Sequence, residues 1–317
     1  MNKSQKPLMQ HVTDFLDWID IEQGLSSKTQ ENYKRFLEKF LYWLKKENLE
    51  NIRPHELSSS IVWRYRVYLS RQCNGTKAKG LKKSTQNYYL IALRNLMTFF
   101  AERDILALPS GKIKLARNKD DREVRFLNIK QIEKLLSMPD VSTKKGLRDR
   151  TILETFFSTG MRISELIQLN VDQIKIEKAD SDMELSITGK GGRTRTVYIS
   201  ERAMKWLKKY VCTRNDDKKK ALFINYRARK DSPDRLSMRY VQTMIKKYAL
   251  NAGLPANTTP HVMRHSFATD LLAKGVDLKV LQEFLGHKDI SATQIYAHVT
   301  NKQLRDIHRK FHGLNNK

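Results

Sequence analysis

Residues 183–200 read MELSITGKGGRTRTVYIS. Met183, Leu185 and Ile187 alternate with polar neighbours, and Val197 and Ile199 do the same beyond Gly189-Lys190-Gly191-Gly192. A period of two on both sides of a glycine-rich turn predicts a short antiparallel sheet within 172–199. Nearly everywhere else apolar residues recur every three or four positions, the mark of helices. The chain is therefore mainly α, and the hairpin makes its second half α+β.

Around the hairpin, a helix near 147–158 ends at Gly160 and a short one begins at Ser164. Asn128 is placed to cap a helix carrying Ile132, Leu135 and Leu136, and Leu222–Ile224 reads as a further strand. Upstream, Tyr33, Phe36, Leu37, Phe40, Leu41 and Leu44 form one stripe between Ser26 and Lys46. Ile61, Tyr65, Tyr68 and Leu69 repeat it after a serine run, and Ser84 opens a helix with Tyr89, Leu93, Leu96 and Phe100 on one face. A shorter helix around Val12, Phe15, Leu16 and Ile19 completes a small bundle. Between these halves, PSGKIKLARNKDDREV lacks any apolar period and reads as a linker. The expected organisation is a helical domain at 1–107, a linker at 108–125 and an α+β domain at 126–317.

Sixty Lys and Arg against 34 Asp and Glu give the chain a net charge of +26. Residues 1–110 hold 18 basic and 11 acidic side chains, residues 111–317 hold 42 and 23, so both halves carry the excess. Such a balance favours a polyanionic partner, most simply nucleic acid. Between Glu56 and Glu102 no acidic residue occurs, while Arg64, Arg66, Arg71, Lys77, Lys79, Lys82, Lys83 and Arg94 do. A solvated face mixes its signs, so this strip is expected to face phosphates. Further candidates are Arg193 in the hairpin turn and Arg227, Arg229, Lys230, Arg235 and Arg239 in the 227–247 region. No apolar run approaches a membrane span and no signal peptide opens the chain. The two cysteines, Cys73 and Cys212, lie far apart with no ligand spacing, so a cytoplasmic protein is expected.

Five segments place chemically useful side chains beside structure-fixing glycines: Thr159-Gly-Met-Arg162-Ile-Ser-Glu165-Leu, the Lys190 hairpin, His261-Val-Met-Arg264-His265, Leu285-Gly-His287 and Thr293-Gln-Ile-Tyr296. Each has a plain reading by itself: a helix-flanking arginine, a solvated turn lysine, a core histidine, a packing tyrosine. His261, Arg264 and His265 share a helix face and can converge on one anion. A zinc pair at His261 and His265 is the competing reading. The glutamate of HExxH is missing, and Arg264 on the same face would repel a dication, so no metal site is expected.

Taken in order, Arg162, Lys190, His261-x-x-Arg264, His287 and Tyr296 resemble the active-site set of the tyrosine recombinase/integrase family, most closely its Xer-type site-specific recombinases. The words TGMRISEL, HVMRHSFATDLL and LGHKDISATQIYAHV fit that family's signature, with Met161 and Met263 where leucine is common. The resemblance covers the whole second domain, and it implies that the first is a SAM-like core-binding domain. It also implies an enzyme that cuts and rejoins DNA through a 3′-phosphotyrosyl bond on Tyr296. A phenol is a poor nucleophile until a neighbour takes its proton. His261 suits that transfer, Arg162 and Arg264 suit the charge gathering on the scissile phosphate, His287 can donate a further bond, and Lys190 can protonate the departing 5′-hydroxyl. Glu165, and to a lesser degree His265, would support this set. Because the phosphotyrosine conserves the bond energy, no cofactor is expected.

The family analogy extends to partners: double-stranded DNA with a specific site, a homotetramer on two such sites, and a septal DNA translocase or paralogous recombinase. The basic tail HVTNKQLRDIHRKFHGLNNK resembles the segment that Xer-type enzymes lend to a neighbouring subunit, with Leu304, Ile307 and Phe311 on one face. The first domain starts almost at residue 1, which leaves no room for an arm-binding domain. Resolution of chromosome or plasmid dimers is thus the expected role. An integrase of a mobile element, a type IB topoisomerase and a non-cutting architectural protein are the alternatives.

Overall fold

A computed structural model describes residues 1–71, 80–116, 125–175, 181–189, 192, 194–214, 219–226 and 234–286. Lys77, Lys79, Lys190, Arg193, Arg227, Arg229, Lys230, His287, Tyr296 and the tail lie outside them. The chain divides into two units, Met1–Asp121 and Arg122–Lys317.

Among the described residues, the first unit packs four α-helices: α1 (Val12–Ile21), α2 (Ser27–Lys46), α3 (Ser59–Arg71) and α4 (Lys83–Glu102). The apolar stripes point inward, so Phe15, Phe40, Tyr65, Leu93, Leu96 and Phe100 are all buried. Trp43, outside the expected stripe, widens that of α2 and stacks on Phe40 with ring centroids 5.9 Å apart. Ser58 caps α3, its hydroxyl accepting from the Ile61 amide at 3.4 Å. Helix α4 begins one residue before Ser84, with Lys82 as its cap position. The expected linker starts inside this unit: Ile113 is buried in its core, and Leu108 and Leu115 pack against it. Asn87 clasps Ala116 through two hydrogen bonds of 2.9 Å. Helix α1 differs from the rest of the chain in charge. It has no Lys or Arg, and its Asp14, Asp17 and Asp20 are all exposed; Glu22, just past its end, pairs with Arg103.

The second unit contains α5 (Ile129–Leu136), α6 (Lys144–Thr159), α7 (Ile163–Gln168), β1 (Met183–Thr188), β2 (Thr194–Ile199), α8 (Glu201–Cys212), α9 (Met238–Asn251), α10 (Pro260–Ala273) and α11 (Leu278–Leu285). Strands β1 and β2 pair antiparallel, with Met183 opposite Ile199 and Thr188 opposite Thr194. Their period of two buries Leu185, Ile187, Val197 and Ile199 on one face. Asn128 caps α5 as its sequence implies: its side chain accepts from the Gln131 amide at 2.9 Å, and Gln131 accepts from the Asn128 amide at 3.0 Å. Where a strand was expected at Leu222–Ile224 there are only single bridges, Asn170 to Ala221 and Ile224 to Arg235.

Helix α6 is central, packed against α8, α10 and β2. It even buries an ion pair, Arg148 to Asp149 at 2.7 Å, to which Tyr248 of α9 donates its hydroxyl at 3.1 Å. Buried charge is tolerated here because each group has several partners; Arg148 also donates to the Ile224 carbonyl at 2.7 Å. Gly160 ends α6 in the left-handed region at φ 57°. A Cβ there would lie 2.2 Å from the Phe267 ring, so glycine also lets α10 approach. Gly286 ends α11 in the same way at φ 62°.

Candidate active site

Two glycine turns aim carbonyl oxygens at one place, and arginines from three elements meet them. Arg264, on α10, is buried and donates to the Gly160 carbonyl at 2.7 Å and to the Leu285 carbonyl at 2.6 Å. Arg162, the cap residue of α7, donates to the Gly286 carbonyl at 3.2 Å. Arg195, on β2, donates through Nε to the Phe284 carbonyl at 3.2 Å. Three successive carbonyls at the C-terminal end of α11 thus hold three guanidinium groups. That end carries the negative pole of the helix, which suits cations.

Glu165 lies between two of these arginines. It accepts from Arg195 at 2.9 and 2.7 Å, from Arg162 Nη1 at 3.1 Å and from the Arg162 amide at 2.7 Å. Burial pushes its carboxyl up, but the hydrogen bonds from Arg195 and Arg162 outweigh this and hold it below the usual carboxylate range. The carboxylate also caps α7, whose six residues could not hold their own ends. Arg235 finishes the other end, donating to the Ile167 and Leu169 carbonyls at 2.6 and 2.9 Å. Arg235 is therefore tied to the fold of this unit.

The arrangement brings together Arg162, Glu165 and Arg264 and sets them against Gly286, the residue before His287. One carboxylate among three guanidinium groups leaves an excess of positive charge. Arg162, whose side chain is one-third exposed, keeps further N–H groups for an incoming anion. His261 stands exposed in the first turn of α10. His265, one turn on, is half-buried, and burial, then His261 and Arg264, push it down to about 4, so it is neutral at neutral pH.

Arg195 is the residue that sequence reading missed. Its signal was the strand alternation, which puts position 195 on the inward side with Val197 and Ile199. An arginine on the apolar face of a strand calls for a buried partner. Among the basic-strip candidates, Arg64 is paired with Glu47 and Arg66 lies 5.6 Å from the Trp63 ring centroid. Lys82, Lys83 and Arg239 are exposed, and Arg94 is half-buried on α4.

Comparison with known proteins adds independent findings. Residues 125–303 match the phage integrase family, and residues 12–104 match the phage integrase N-terminal SAM-like domain. The chain is 33% identical over 307 residues to tyrosine recombinase XerD of Lacticaseibacillus casei, covering 95% of this chain and 98% of that one. It is 32% identical over 312 residues to tyrosine recombinase XerC of Thermodesulfovibrio yellowstonii, covering 96% of each. Its fold is similar to that of XerH site-specific recombinase bound to difH substrate in a pre-cleavage complex. There the TM-score is 0.71 at 22% identity, over 96% of this chain and 97% of that one.

Proposed function

The chain belongs to the phage integrase family and is a tyrosine recombinase, and from that premise we propose that it resolves chromosome or plasmid dimers by strand exchange at a specific DNA site. The reading rests on one observation above the others. Arg162 and Arg264, far apart in sequence, are held at the same helix end immediately before His287. Two guanidinium groups fixed in advance around one point suit a phosphate whose non-bridging oxygens gain charge during attack.

In this reading Tyr296 attacks the scissile phosphate, forming a 3′-phosphotyrosyl bond as the bond to the 5′-oxygen breaks. His261 takes the phenol proton, His287 donates a hydrogen bond, and Lys190 supplies a proton to the 5′-oxygen. The reverse reaction with a different 5′-hydroxyl rejoins the strand. Arg64, Arg66, Lys77, Lys79, Lys82, Lys83, Arg94, Arg193 and Arg239 supply phosphate contacts in the same reading. Four protomers acting on two sites, linked by tail segments and activated by a septal translocase or a paralogue, complete it. The setting is the cytoplasm; no helix among the described residues is long and apolar enough to cross a membrane.

The test is a nicked, labelled duplex carrying a candidate site from the host chromosome, incubated without metal or ATP with wild type and Tyr296→Phe. A denaturant-resistant protein–DNA adduct with wild type alone is expected. Tight, specific binding by wild type without an adduct, with the translocase or paralogue also supplied, would overturn the proposed cleavage, and an adduct with the Phe variant would overturn Tyr296 as nucleophile.

A further inference from the structure

Arg195 lies outside the set of groups given a chemical task above, yet all three of its guanidinium nitrogens are engaged within the site. Strand β2 turns it inward, and only 12% of the side chain is exposed. Its two terminal nitrogens grip both oxygens of Glu165, and its Nε reaches the Phe284 carbonyl. The three contacts join three elements: β2, α7 through Glu165, and the last turn of α11. Gly286 is shaped to fit it, since a Cβ at that position would stand 2.7 Å from Arg195 Cδ.

We propose that Arg195 is a positioning residue for strand cleavage: its guanidinium fork sets Glu165, which orients Arg162, and fixes the end of α11 from which residue 287 follows. The inference rests on the recombinase reading above. With its three guanidinium nitrogens engaged by Glu165 and the Phe284 carbonyl, Arg195 acts through its neighbours. A lysine cannot replace it. An ammonium is a point charge without the planar fork, so it can neutralise Glu165 but cannot hold both carboxylate oxygens and the Phe284 carbonyl in one plane.

The experiment compares wild type, Arg195→Lys and Gly286→Ala on the nicked duplex, at a temperature where each is folded by circular dichroism. Single-turnover adduct formation and equilibrium DNA binding are measured side by side. Arg195→Lys is expected to bind DNA as wild type does and to form the adduct about 100-fold more slowly, the scale of a misplacement of about 1 Å. Gly286→Ala, which pushes on Arg195 from the opposite side, is expected to show the same separation of rate from affinity. It also decides the matter if Arg195→Lys does not fold. Cleavage at the wild-type rate by folded Arg195→Lys would overturn the proposal, since charge alone would then suffice. So would parallel losses of rate and affinity, which mark a DNA contact or a general loss of structure. Failure of wild type to form any adduct, even with the activating partner supplied, would instead count against the proposed cleavage reaction and not against the role of Arg195.

Discussion

His265 is held neutral by its surroundings, and this has a consequence for stability. Its folded-state value of about 4 lies below the ordinary 6.5 because burial, His261 and Arg264 disfavour the charged ring. Between those two values the unfolded chain binds the proton and the folded chain does not. Stability should therefore fall as pH drops from 6.5 towards 4, and His265→Gln should flatten that part of the profile. Urea midpoints of the second unit across this range would show it; an unchanged slope in the variant would contradict the assignment. At this scale the sequence spoke unevenly. Arg162 and Arg264 were legible because each sits in a dense local motif. The link from Arg195 to Glu165 spans thirty positions, and only the alternation of β2 hinted at it. The carbonyl contacts of Arg235 were not legible, because an isolated basic residue looks the same whether it will meet a phosphate or the carbonyls of a neighbouring helix.

Helix ends decide where the elements of the second unit can meet. Asn128→Ala removes the side-chain half of the reciprocal capping pair, the bond accepted from the Gln131 amide, and should cost about 1 kcal/mol. Gly160→Ala should cost more than that. It meets the left-handed penalty of about 1–2 kcal/mol as well as the Phe267 ring at 2.2 Å. Chemical denaturation of both variants gives the order directly, and an equal or smaller loss at Gly160 would show that α10 yields to the added methyl. Both ends were visible in the sequence, since an asparagine before an apolar stripe and a glycine after one are local signals. The hairpin was visible too, from its period of two. The segment at Leu222–Ile224 was not, because a short apolar run reads alike as a paired strand or as an irregular stretch held by single bridges. The start of the linker was hidden for a related reason: Ile113 enters the first core without any periodic neighbours to announce it.

A net charge of +26 spread over both units predicts the behaviour of the whole molecule on DNA. Binding driven by phosphate contacts releases condensed ions, so affinity should fall by about 10³-fold or more between 50 and 200 mM salt. Equilibrium titrations would test this, and a flat salt response would count against broad phosphate contact. The positive charge is not evenly laid, however. Helix α1 shows three carboxylates and no Lys or Arg, while α3, α4 and the cap of α4 carry Arg66, Lys82, Lys83 and Arg94 without a single acid between Glu56 and Glu102. A body charged in this way has an electric moment as well as a net charge. Near a duplex it experiences a torque in addition to an attraction, acting over roughly the 8 Å Debye length of physiological salt. The uneven charge of the first unit is therefore expected to bias its orientation during the encounter, before any side chain reaches a base.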